Sequence, residues 1–515
     1  MKHVRITLLF LFITPLIALA QQTTLDAKLQ EIDTYANTVI NTWPGAGMAI
    51  AVVKDDKVAM QKGYGVREVG KPDKVDENTL FAIASNTKAF TAASLAMLVD
   101  EGKLNWNDRV TKYLPDFQMY DPWVTSQLTV RDIVSHRSGL DTFSGDLLWY
   151  DTTYSTDEIL RRVRYLKPVS DFRTRYGYSN LMFIAAGRVV EKASGMKWAD
   201  FVRTRILDPL GMNRTTTSVR DLKDNFAMPH NESGGTFRAL PPGYLDDAIG
   251  AVRLNSSVAD LSKWIRLQLG KGTVDGKKFW SSERSNDMWQ PNIMIPISEA
   301  GQKANPTRHF RGYGMGWFLE DFRGRKIISH SGGLDGMLSY TVLVPEENLG
   351  FVVLTNSESP AYQIMMNKIR DVMLETPASD YIQIAKDTLA AGKAAQADAD
   401  KKVDAARLPN TKPSLPLSGY VGTYTSQMYG DVIVAEENGH LVMRLGPAPN
   451  FVADLEHWQL ETWQIHWRPT VHYNFPRGFV TFTIDKNAKT EQLKIDRRIP
   501  IFGFTSSIFI AQNKA

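Results

Sequence analysis

The chain has no cysteine among its 515 residues. That excludes disulfides, thiol catalysis, cysteine-ligated metal and a lipidated N-terminal cysteine. A strong charge bias is missing too. The formal net charge is +4, and Lys2 and Arg5 supply two of those charges. Such a balance makes no electrostatic case for nucleic acid or for a strongly anionic membrane. Beyond the first twenty residues no run is long and apolar enough to span a bilayer. The nine histidines are scattered, and His457, His466 and His472 stand among tryptophans without metal-ligand spacing. There is no H-E-x-x-H, no G-x-S-x-G nucleophile elbow and no glycine-rich phosphate loop. Neither a metal nor an organic cofactor is expected, and no internal repeat is evident.

What is present begins with "MKHVRITLLFLFITPLIALAQQ". A short basic start, an apolar run and the small-x-small pattern Ala18-Leu19-Ala20 predict a signal peptide over residues 1–20, and hence a periplasmic or secreted protein. The length predicts two or three domains. In residues 21–376, "AGMAIAVVKDDKVAMQKGYGV" reads as a hairpin about Lys54-Asp55-Asp56-Lys57. Residues 86–102 read as a buried helix ending near Gly102. "LTVRDIVSHRSGL", "LMFIAAGRVVEKASG" and "SVADLSKWIRLQLGKG" read as further helices, each closed by glycine. Strands return after residue 310. The first ~370 residues are therefore expected to build one antiparallel sheet with a helical region inserted, an α+β fold. Residues 377–417 read as a polar helix followed by a Pro-rich linker. Residues 418–515 alternate in short runs and predict a small all-β, barrel-like domain.

Three short stretches carry chemistry. In "FAIASNTKAF", Ser85 and Lys88 stand three apart, so on a helix they share one face. A serine needs a base to become a nucleophile, and a lysine in an apolar wall has its pKa pulled toward the working range. The bland alternative is a helix-capping serine beside a snorkelling lysine. In "RYGYSN", Tyr178 and Asn180 precede an apolar helix; they suit a proton relay and a carbonyl-orienting amide, or equally a packed ring and a cap. In "IISHSGGLDG", His330, Ser331, Gly332 and Gly333 end an apolar strand. The glycines would let a substrate backbone lie along it, or simply make a turn. His136 reads as a structural residue at a helix end.

Together and in this order, S-x-x-K, Y-x-N and H-x-G resemble the serine β-lactamase and penicillin-binding-protein superfamily. The likeness is greatest to class C β-lactamases and to the esterases and D-aminopeptidases related to them. "YSNLMFIAAGRVVE", "AVRLNSSVADLSKW" and "GYGMGWFL" support it. It implies that Ser85 is the acylated nucleophile, Lys88 its base and Tyr178 the group that activates the serine or protonates the leaving group. Asn180 would hold a substrate amide, and the N–H groups of Ser85 and Gly333 would form the oxyanion hole. His330 would stand where many members carry a lysine, which counts against efficient β-lactam hydrolysis and for esters, amides or peptides. "GYVGTYTSQMYGDVIVAEENGHLVMRL" resembles the lipocalin-like domain that follows the catalytic domain in some relatives. The implied partner is a small-molecule or peptide substrate, with self-association left open. The implied activity is hydrolysis through an acyl-enzyme. A β-lactamase, a D-Ala-D-Ala carboxypeptidase and an acylated sensor that does not turn over are the alternatives.

Overall fold

Strand Gly47–Lys54 is apolar on both faces, and the fold explains why. Ala49, Ala51 and Val53 join one core cluster, while Met48, Ile50 and Val52 join another. Side chains alternate across a strand, so this one is sealed between two layers of helices. The computed structural model describes residues 13–43, 47–233, 236–377, 379–470, 475–499 and 504–511.

The sheet has eight strands. In spatial order they are Lys57–Gly65, Gly47–Lys54, Leu349–Thr355, Met337–Val344, Arg325–Leu334, Phe318–Phe322, Arg311–Tyr313 and Ile293–Met294. Every neighbouring pair is antiparallel. The expected hairpin forms, with Lys54 opposite Lys57 and both Asp55 and Asp56 at positive φ. A second tight hairpin joins Leu334 to Met337 through Asp335 and Gly336, the glycine at φ +68°. Helices Ile13–Thr42 and Ala361–Met373 cover one face. The other face carries the helical region, centred on helix Thr87–Asp100. That helix is buried almost all round, as an apolar helix inside a large domain should be. Phe90 stacks on Trp264 of helix Val258–Leu269 with centroids 3.9 Å apart, a contact worth about 1 kcal/mol beyond its burial.

One expected helix is largely absent. "LTVRDIVSHRSGL" forms a single turn, Val130–Ile133. The Asp132 carboxylate folds back onto the Thr129 N–H and hydroxyl, and it also pairs with Arg137 and Arg173. His136 then takes φ +57°, which stops the helix.

Helix Tyr381–Ala405 and a Pro-containing stretch lead to the C-terminal domain. There, eight strands from Gly422–Ser426 to Phe504–Ala511 pair in chain order and close into a barrel. Inward residues such as Val432, Leu441, Met443, Trp463, Val480 and Phe482 fill it. His457 and His466 lie on strands of this barrel, and His472 falls outside the described residues. The first twelve residues of the expected leader do too, and Ile13 onward belongs to the first helix. Among the described residues no helix is long and apolar enough to cross a membrane, and no group of three or more His, Cys, Asp or Glu could hold a metal ion.

Candidate active site

Ser85 lies in a one-turn 3-10 segment, Ala84–Asn86, directly ahead of helix Thr87–Asp100. Ala84 is at φ +46°, a conformation an L-residue adopts only when its surroundings enforce it. The enforcement is visible. Ile83 N–H donates to Leu254 O, Asn86 Nδ2 donates to Ser339 Oγ, and Ser339 Oγ donates to Ile83 O. Gly332 lets the strand approach this turn, since a Cβ there would meet Ile83 O at 2.2 Å. Of the four strand residues expected to meet substrate, His330, Ser331 and Gly333 line the cavity holding Ser85, and Gly332 does not. Its absent side chain is what seats the serine beside the strand.

Lys88 is fully buried. Its Nζ lies 2.9 Å from Ser85 Oγ, 2.6 Å from Asn180 Oδ1 and 3.1 Å from Ala251 O. As an ammonium Nζ donates to all three; once it is neutral, the two carbonyl oxygens, which can only accept, take its two hydrogens. In that neutral form the lone pair is free for the Ser85 hydroxyl. Burial pushes the Lys88 pKa down to about 7, against the opposing pull of the Asp146 carboxylate. The snorkelling alternative therefore fails: this lysine does not reach solvent.

Asp146 was not legible in the sequence. It is buried, it accepts from Asn180 Nδ2 at 2.7 Å and from Trp149 Nε1 at 2.9 Å, and burial raises its pKa to about 7. Asn180 thus bridges Lys88 and Asp146. Its carbonyl oxygen and one N–H are already engaged, leaving one N–H for a substrate.

Tyr178 is buried beside Ser85, and burial holds its pKa well above the ordinary phenol value against the lowering influence of Ser85. Its ring lies 4.9 Å from Lys88 Nζ. Ser179 caps helix Asn180–Ser194 through Met182 N–H, which fixes Tyr178 and Asn180 on either side of the cap. His136 supports the same turn, because its Nδ1 accepts the Ser179 N–H at 3.0 Å. Its ring packs 4.1 Å from that of Tyr178, in keeping with a structural role.

His330 is neutral. Its Nδ1 lies 2.6 Å from Ser331 O and must donate, so Nε2 accepts from the Tyr313 hydroxyl at 2.9 Å. Burial, reinforced by the Lys88 charge, pushes its pKa down to about 3. The cavity is ≈ 500 Å³. Its described lining includes Trp149, Tyr176 and Phe318, the acids Asp146, Asp335 and Glu358, and no lysine or arginine. The hydroxyl of Tyr150 donates to Asp335, whose pKa is raised to about 6 by burial and then by Asp151.

A serine hydroxyl, a buried amine 2.9 Å from it and a phenol beside it form a candidate serine–lysine site on a penicillin-binding-protein-like scaffold. Residues 38–372 match the family model described as Beta-lactamase, and the chain belongs to that family. Residues 406–506 match a domain of unknown function, DUF3471. Unguisins hydrolase ungD' of Aspergillus campestris is 31% identical over 345 residues, 64% of this chain and 61% of the relative. Unguisins hydrolase ungD of Aspergillus violaceofuscus is 28% identical over 418 residues, 76% of this chain and 74% of the relative. Protein flp of Staphylococcus aureus is 30% identical over 337 residues, 64% and 63% of the two chains. The chain thus spans under two thirds of the length of the first and third of these relatives. The octameric penicillin-binding protein homologue from Pyrococcus abyssi shares the fold at a TM-score of 0.61 and 20% identity, covering 93% of this chain and 99% of that one. A structure titled SurE does so at 0.55 and 16%, covering 95% and 100%.

Proposed function

We propose that the protein is an exported serine hydrolase that cleaves an ester or a small peptide, D-residue peptides included, through an acyl-enzyme on Ser85. The observation that carries this is the Lys88 amine, fully buried and 2.9 Å from the serine hydroxyl. Ser85 Oγ attacks the carbonyl carbon as its proton passes to Lys88 Nζ. The oxyanion is held by the N–H groups of Ser85 and Gly333. Tyr178 is too weak an acid to be the base at neutral pH, so it donates its proton to the leaving group and recovers one from Lys88. Water then attacks the ester, releasing the acid and restoring Ser85. The substrate class follows from charge. A β-lactam carboxylate would meet a neutral His330 and the acids Asp335 and Glu358. Two relatives bear the name hydrolase, which agrees with the reading. The closed eight-stranded meander favours a lipocalin-like C-terminal domain. Export rests on the leader alone, and a mature N-terminus at Gln21 is its check.

The test is a panel on the mature protein with Ser85→Ala as blank: p-nitrophenyl acetate, D-alanyl p-nitroanilide and a chromogenic cephalosporin. The ester or the anilide is expected to exceed the cephalosporin in kcat/KM by at least about a hundredfold. Cephalosporin turnover at or above the other two would favour the β-lactamase reading.

The pH profile gives a second expectation. Lys88 must be neutral to act, so kcat/KM rises with pH through an acid limb near pH 7. Asp146 favours the charged form of Lys88. Asp146→Asn removes that pull, and the limb moves to lower pH. It also turns an amide N–H toward one of its present donors, at a cost of about 1–3 kcal/mol of stability. An unmoved or upward-moved limb contradicts Lys88 as the base.

A further inference from the structure

A second cavity, with about 70 Å³ of free space, adjoins the one holding Ser85. The two share Tyr150, Val252, Leu334 and Asp335 in their walls. The Tyr150–Asp335 hydrogen bond thus stands on the boundary between them. Beyond that boundary Ala82, Val219, Leu222, Pro241, Met337 and Phe451 form an apolar part of the wall, and Asp151, Asp246, Arg253 and Asn255 form a polar part. Phe451 belongs to the C-terminal barrel, on strand Ala448–Gln459.

The barrel holds this boundary firmly. Thr153 N–H donates to Pro447 O at 2.8 Å, and Asn450 Nδ2 donates to Asp151 Oδ1 at 3.1 Å. The Phe451 ring meets Tyr150 edge-on, with centroids 6.1 Å apart. Arg162 Nη1 donates to Gln427 O and Met428 O at 2.8 and 2.9 Å. The barrel's own interior is filled with side chains, so its rim is the part it offers to the site.

The direction of the substrate follows from the proton donor. A leaving group must sit beside Tyr178, near His330 at one part of the strand. The acyl part then runs along Gly333 toward Leu334 and Asp335, where the second cavity opens. We propose that this cavity is an acyl-side subsite for one apolar side chain of the substrate, with Phe451 of the barrel as a specificity-determining wall. The inference rests on the acyl-enzyme reading above. It gives the C-terminal domain a part in substrate selection.

The test uses the full mature chain and p-nitrophenyl esters, which keep the leaving group constant while the acyl chain grows from acetate to butyrate to hexanoate. In the wild type kcat/KM is expected to favour butyrate over acetate. Leu222→Trp, at a half-buried wall position, fills the cavity and lowers the butyrate-to-acetate ratio about tenfold. Phe451→Ala opens the wall that the barrel supplies and raises the hexanoate-to-butyrate ratio several-fold. Thermal melts establish that both variants fold. Ratios unchanged in both folded variants overturn the subsite. Loss of all ester hydrolysis to the Ser85→Ala level in the wild type itself would instead overturn the acyl-enzyme reading.

Discussion

Ser85→Ala and Lys88→Met each reduce ester hydrolysis to the same residual rate, a fall on the order of 10⁴-fold or more, and the double variant is no worse than either. The equality follows from how the two side chains act. Ser85 Oγ is inert until its proton leaves, and the amine 2.9 Å away is the group placed to take it. Removing either partner removes the same step. Methionine is chosen because it fills the space of a fully buried side chain. It leaves Asn180 Oδ1 and Ala251 O without their donor, so a melt must accompany the kinetics. Strictly additive losses, or a Lys88→Met variant within about tenfold of wild type, would remove the lysine from the mechanism.

Tyr178→Phe is expected to lower kcat by about 10² to 10⁴-fold, with the loss growing as the leaving group becomes more basic. A p-nitrophenolate needs little help to depart, whereas an amine must be protonated. The variant therefore retains more of its ester activity than of its anilide activity. The phenol is buried against Ser85 with its pKa held well above the usual value, which suits a proton donor and excludes a resting phenolate. Equal losses on both substrates would mean that Tyr178 only orients Ser85.

Much of this site was legible because two of its motifs are local. Ser85 and Lys88 are three residues apart at a helix start, and Tyr178 and Asn180 flank a helix cap. Their chemistry can be read from spacing. Asp146 could not be found this way. It sits on a short 3-10 turn, and its hydrogen-bonded link to Lys88 runs through Asn180, 34 residues on. Nor could Tyr313 as the partner of His330, since strand register alone brings those two together. The barrel's alternation was plain, but its closure depends on the pairing of Thr425 with Ile510, which no local pattern encodes. The overlong helix at 128–140 shows the opposite failure. Apolar spacing argued for a helix there, and the Asp132 carboxylate won by binding its own cap and two arginines.

The most direct test is intact-mass and peptide-mapping analysis after exposure to a fluorophosphonate, on wild type, Ser85→Ala and Lys88→Met. The account predicts one adduct on wild type, located at Ser85, none on Ser85→Ala, and labelling of Lys88→Met slowed by at least about a hundredfold. An unlabelled wild type, an adduct on another residue, or undiminished labelling of Lys88→Met would contradict it.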